Sequence, residues 1–129
     1  MKIAIMGTGG MGGYIGGRLA NAGREVAFIA RGDHLKAIQN AGLNVESSSG
    51  DFLIKPAYAT SNPEEIGMVD LVLFCVKTYD ALEAAKFIEP MIGPNTVILP
   101  VLNGVDHIDW FVDLYGSDHV FGGVALISA

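Results

Sequence analysis

The sequence predicts an α/β domain built on a doubly wound, mainly parallel sheet with helices on both faces. Three observations carry that expectation. Strand-like and helix-like segments alternate along all 129 residues, which is the pattern of successive βαβ units. The run Leu71-Val72-Leu73-Phe74-Cys75-Val76 is apolar at every position, as a parallel strand covered on both faces must be. The glycine pattern Gly7-Thr8-Gly9-Gly10-Met11-Gly12 follows the apolar run Ile3-Ala4-Ile5-Met6 without a gap. A strand, a GxGxxG turn and a helix in that order form the Rossmann-type dinucleotide fingerprint. Glycine is needed at Gly7 for the tight turn, at Gly9 for the backbone to approach a pyrophosphate, and at Gly12 for close packing of helix on strand.

The elements follow in order. The first strand spans Lys2 to Met6, and a helix runs from Met11 to Asn21 with Met11, Ile15 and Leu19 at four-residue spacing, ending before Gly23. Glu25 to Ala30 is the second strand. Asp33 is the expected N-cap of a helix reaching Ala41, with Gly42 as its stop. Leu43 to Glu46 and Phe52 to Ala59 flank Ser47-Ser48-Ser49-Gly50-Asp51 and read as a hairpin inserted between βα units. Ser61-Asn62-Pro63-Glu64-Glu65 combines caps with an early proline, giving a short helix. Asp70 precedes the strand Leu71 to Val76, and Thr78 caps a helix from Tyr79 to Ile88, with Pro90 beyond its end. Thr96 to Val101 is the next strand, with Pro100 at its exit because it lacks an amide donor. After the turn Asn103-Gly104, a helix from Asp106 to Leu114 places Trp110, Phe111 and Leu114 on one apolar side. Val120 to Ile127 is the last strand-like run.

Composition narrows the function classes. Half the residues are hydrophobic and 17% are charged, so a single folded domain is expected over residues 1–129. No apolar run approaches the ~20 residues that span a bilayer, and Met1-Lys2 leads straight into a strand, which is not a secretory signal. A cytoplasmic protein without membrane partners is expected. The net charge of −6 with scattered Lys and Arg disfavours a nucleic-acid partner. The single cysteine, Cys75, excludes an internal disulfide and reads as a buried, inert thiol. His34, His107 and His119 show no metal-ligand spacing and read as surface or capping residues, so no metal is expected.

In open parallel sheets, ligands bind beyond the carboxyl ends of the strands. The residues placed there are the glycine turn, Arg31, Lys77, Asn103 and the region of Ser128. An acidic residue at the tip of the second strand would hold the ribose hydroxyls of NAD. This chain has Ala30-Arg31-Gly32 instead, and an arginine there suits the 2′-phosphate of NADP. Lys77 emerges from a buried strand at the crevice, facing a phosphate, a ribose or a substrate carboxylate. Asn103 either orients a substrate or nicotinamide through its amide or serves only as a turn residue.

The set Gly7 to Gly12, Arg31, Val76-Lys77-Thr78 and Leu102-Asn103-Gly104 resembles the N-terminal domain of the ketopantoate reductase (2-dehydropantoate 2-reductase) family over essentially the whole chain. The resemblance implies NADPH-dependent reduction of 2-dehydropantoate to (R)-pantoate, on the route to pantothenate and coenzyme A. It implies that Gly7, Thr8, Gly9, Gly10, Met11 and Gly12 bind the pyrophosphate and Arg31 the 2′-phosphate. Lys77 and Asn103 would lie beside the nicotinamide, with Asn103 near the substrate, and the chain would approach the cofactor again around Ser128. Many members read Gln-Asn-Gly where this chain has Leu102-Asn103-Gly104, which removes a polar neighbour and leaves the ketoacid open. The resemblance also places the general-acid lysine and a substrate-binding glutamate on a following helical domain that these residues do not include. The expectation is a cofactor domain that binds NADPH, barely turns over alone and self-associates through an exposed apolar face. A stand-alone NADP-binding regulatory module, or a reductase of another small ketoacid, is the alternative.

Overall fold

The computed structural model describes residues 1–7, 10–45, 50–55, 57–76, 81–100, 106–116 and 119–120, with backbone alone at 10, 11, 81 and 106–110. Its elements run in the order β1 (Lys2–Met6), α1 (Gly10–Asn21), β2 (Glu25–Ile29), α2 (Gly32–Ala41), β3 (Leu43–Val45), β4 (Phe52–Ile54) and β5 (Tyr58–Thr60). They continue with α3 (Pro63–Ile66), β6 (Val69–Phe74), α4 (Ala81–Phe87), a 3-10 turn (Glu89–Met91), β7 (Ile92–Pro100) and α5 (Asp106–Tyr115). Five strands form one sheet in the order β5-β2-β1-β6-β7, and every pairing in it is parallel. The chain builds outward from β1 to one edge, then crosses to β6 and builds to the other. That reversal beside β1 is the topological switch point of a doubly wound sheet, and Met6 lies opposite both Ile29 and Phe74 there.

Alternation along the strands divides the core in two. Ala4, Met6, Ile29, Val72 and Phe74 face α3, α4 and α5, where Ile88, Met91 and Phe111 complete one cluster. Ile3, Ile5, Phe28 and Leu73 face the other way, joined by Ile38 of α2 and Leu43 and Val45 of the hairpin. Burying both faces makes the central strands continuously apolar, as the run at 71–76 required.

Several expected boundaries shift for identifiable reasons. The segment Phe52 to Ala59 is two strands rather than one. β4 pairs antiparallel with β3, Leu43 opposite Ile54, while β5 joins the main sheet in parallel with β2. One straight strand cannot serve both partners, and Pro56, with no amide donor, stands between them in the sequence. Asp33 is not the N-cap of α2. Arg31 holds that position, and Asp33 lies in the first turn, where a carboxylate complements the positive end of the helix dipole.

In α3, Asn62 is the cap, its Oδ1 accepting from the Glu64 amide at 3.1 Å. Asp70 falls inside β6 and accepts the Lys2 backbone amide at 2.7 Å. β7 begins four residues earlier than its apolar run suggests, because its register jumps from Val69 opposite Ile92 to Leu71 opposite Val97. Buried Thr96 organises the bulge: its hydroxyl accepts from the Gly93 amide at 2.8 Å and donates to the Val69 carbonyl at 2.5 Å. Pro90 lies within the 3-10 turn that closes α4. Pro100 is the last residue of β7, opposite Phe74, as expected. Val120 makes a parallel bridge to Ile98, and the rest of the expected final strand lies outside the described residues. No helix among the described residues is long and apolar enough to cross a membrane.

Candidate functional site

The exits of β1 and β6 meet at the glycine turn. The Cys75 amide donates to the Met6 carbonyl at 2.8 Å, so the two strands stay in register to their last residues. Gly7 then turns with φ +94°, a left-handed conformation that glycine adopts without penalty. A Cβ on Gly7 would stand 3.0 Å from the Cys75 carbonyl and 3.1 Å from Val76 Cγ2. A Cβ on Gly12 would overlap the Gly7 carbonyl oxygen. The first turn of α1 therefore folds directly onto the end of β1, and any larger residue at either position would push helix and strand apart. These are the tight turn that the fingerprint assigns to its first glycine and the close helix–strand packing that it assigns to its third.

Ile15 and Leu19 of the expected apolar stripe pack against the core from α1, the Met11 side chain lies outside the described residues, and glycines form the most deeply buried part of that face. Gly12, Gly13, Gly16 and Gly17 are the buried residues, with Ile15 and Leu19 half-buried beside them. A Cβ on Gly16 would lie 2.6 Å from Phe28 Cε1 and 2.7 Å from Ile5 Cγ1, and one on Gly17 would run into Val45 Cγ2. Large side chains from the strands fill the space that helix side chains usually take.

A cleft of about 490 Å³ opens at this end of the sheet. Met6, Gly7, Ile29 and Val76 give it a mostly apolar floor, Arg31 and His34 line it at the start of α2, and Glu83 and Phe87 line it from α4. Arg31 is exposed and extended, at φ −147° and ψ 162°, and its side chain makes no cap hydrogen bond to α2. Cys75 is half-buried at the base of the turn rather than fully enclosed. Burial pushes its thiol up from about 9 to about 11, which agrees with an inert rather than a nucleophilic cysteine.

Of the residues singled out from the sequence, Gly7 and Arg31 line one cleft, Gly12 packs against Gly7, and Gly10 and Met11 open α1. Thr8, Gly9, Lys77, Asn103 and Ser128 lie outside the described residues. The chain reaches the cleft wall at Val76, one residue before Lys77. It leaves β7 at Pro100, three residues before Asn103.

Sequence reasoning missed Glu83 and Phe87 as cleft residues, although their spacing of four on a helix places them on one side. It treated His34 only as a surface or capping group. His119 is elsewhere, with its Nδ1 2.8 Å from the Thr96 carbonyl. Among the described residues no cluster of His, Cys, Asp and Glu could hold a metal ion.

The sequence profile of the family described as ketopantoate reductase PanE/ApbA matches residues 3–129. The chain belongs to that family. Within it, the chain is 39% identical over 106 residues to the 2-dehydropantoate 2-reductase of Mesorhizobium japonicum, covering 81% of this chain and 32% of the relative. The solved 2-dehydropantoate 2-reductase of Geobacter metallireducens superposes with a TM-score of 0.88 at 36% identity, over 93% of this chain and 40% of that one. A ternary structure of D-mandelate dehydrogenase with NADH and anilino(oxo)acetate superposes with a TM-score of 0.83 at 27% identity, over 93% of this chain and 39% of that one. The chain thus spans between 32% and 42% of the length of the first curated relatives it matches.

Proposed function

We propose that these residues form the NADPH-binding domain of a 2-dehydropantoate 2-reductase, which reduces ketopantoate to (R)-pantoate on the route to pantothenate and coenzyme A. The observation that carries the cofactor reading is Arg31 lining, with Gly7, the cleft at the switch point. A glycine turn that no Cβ could enter suits a pyrophosphate held by backbone amides at the start of α1. An arginine rather than a carboxylate at the exit of β2 suits a ribose carrying a 2′-phosphate.

In this reading Gly7, Thr8, Gly9, Gly10, Met11 and Gly12 hold the pyrophosphate. Arg31 pairs with the 2′-phosphate. Lys77 and Asn103 lie beside the nicotinamide, Asn103 orients the ketoacid, and the chain around Ser128 closes on the cofactor. The apolar floor from Met6 and Val76 keeps water from the dinucleotide. When bound, the reduced nicotinamide supplies a hydride to the carbonyl carbon of the substrate. The proton donor for the developing alkoxide is assigned to a following helical domain, so these residues alone bind cofactor with little turnover.

The test is a pair of titrations. Arg31→Asp weakens NADPH by at least tenfold, in line with loss of a charge-assisted phosphate contact of roughly 1.5–3 kcal/mol, while NADH changes little. Equal loss of both cofactors overturns the phosphate role. A ketoacid screen on the full-length protein then identifies the substrate.

A further inference from the structure

We propose that His34 is a second specificity-determining residue for the 2′-phosphate, so that the subsite is a pair of basic side chains rather than a single arginine. The proposal rests on the nucleotide reading above and extends it to a residue outside the glycine fingerprint. α2 starts at Gly32 with Arg31 as N-cap, which makes His34 the third residue of the helix. The cap and third positions are three residues apart and lie on the same side of the first helical turn. Both Arg31 and His34 line the cleft.

Those two positions ordinarily carry hydrogen-bond acceptors, because the helix start presents unpaired amides and a partial positive charge. Here they carry an arginine that makes no cap bond and an imidazole. Two donors at the positive end of a helix are locally unfavourable, and departures of this kind gather at functional sites. The charged groups around His34 decide where an anion can sit. Glu83, facing the cleft from α4, repels a phosphate from that wall. On α2 itself, Asp33 and Lys36 are exposed, and neither lines the cleft. A ribose phosphomonoester is therefore drawn to the Arg31 and His34 wall, while a ribose with free hydroxyls gains little there.

The experiment measures NADPH and NADH affinity by fluorescence titration for the wild type, His34→Gln, His34→Arg and Arg31→Asp. His34 is exposed, and NADH affinity reports on folding within each variant. His34→Gln lowers NADPH affinity roughly fivefold and leaves NADH within about twofold, as expected for a partly solvated bond to an ionised phosphate. His34→Arg retains the wild-type NADPH affinity. An unchanged NADPH to NADH ratio in His34→Gln, with that ratio collapsed in Arg31→Asp, overturns the role of His34 and leaves the Arg31 reading intact. Equal loss of both cofactors in Arg31→Asp overturns the parent reading instead.

Discussion

On one face of the sheet, Phe74 of β6 and Phe111 of α5 meet edge to face with ring centroids 4.8 Å apart. Large buried side chains from α5 and from the turn that follows α4, namely Phe111, Ile88 and Met91, fill the space there. On the other face, the fully buried positions of α1 are glycines, and Tyr14, Ile15 and Leu19 pack only half-buried against the core. Gly12, Gly16 and Gly17 let the helix backbone lie against Ile5, Phe28 and Val45, and the strands and hairpin supply the bulk. The first arrangement sets the helices at a distance that maximises apolar contact. The second brings the start of α1 down to the end of β1, where Gly12 abuts Gly7. The same sheet thus uses side-chain volume against one set of helices and its absence against α1, whose start stands at the end of β1.

The two faces should respond differently to substitution. Phe111→Ala removes a fully buried ring and should cost about 3–5 kcal/mol, measured by urea unfolding. NADPH affinity per folded molecule should stay the same. A collapse of both together would show that the faces are not separable.

Gly16→Ala makes the opposite trade. Alanine favours a helix by about 1 kcal/mol over glycine, yet its methyl would press on Phe28 and Ile5, so a net loss of roughly 1–2 kcal/mol is expected. NADPH affinity should fall as α1 lifts from β1, and a stabilised variant with unchanged affinity would contradict the close-packing argument.

The smallest effect concerns Cys75, which packs against the glycine-faced cluster. Its thiol stays neutral in the folded chain to about pH 11, whereas it ionises near 9 when unfolded. The unfolded state then holds fewer protons, so stability falls as pH rises through that window. Cys75→Ala should flatten this alkaline slope slightly. At pH 8, alkylation of folded wild type should run on the order of a hundredfold slower than for a free thiol.

The order of βα units was legible because period and punctuation are local: apolar runs at Ile3 to Met6 and Leu71 to Val76, and glycines at 7, 23 and 42. Arg31 was legible as a cleft residue because ligand crevices in open parallel sheets lie beyond the strand exits, and it does line the cleft. The split of the segment Phe52 to Ala59 was not legible, since its two halves have similar propensity and only their partners, β3 and β2, distinguish them. The buried glycine face of α1 was not legible either, because hydrophobic periodicity counts side chains and glycine has none to count. His34, Glu83 and Phe87 were hidden for a related reason: each looks like an ordinary helix-surface residue until α2 and α4 are placed on either side of one cleft.

By itself, the sequence determined the α/β class, the parallel sheet and the glycine turn with its arginine. These depend on backbone sterics and on the period of burial, which are properties of short segments. Only the tertiary structure decided which face α1 presents, where the bulge around Thr96 falls and which side chains share the cleft with Arg31. Those depend on distances between segments far apart in the chain, and no local pattern of residues encodes them.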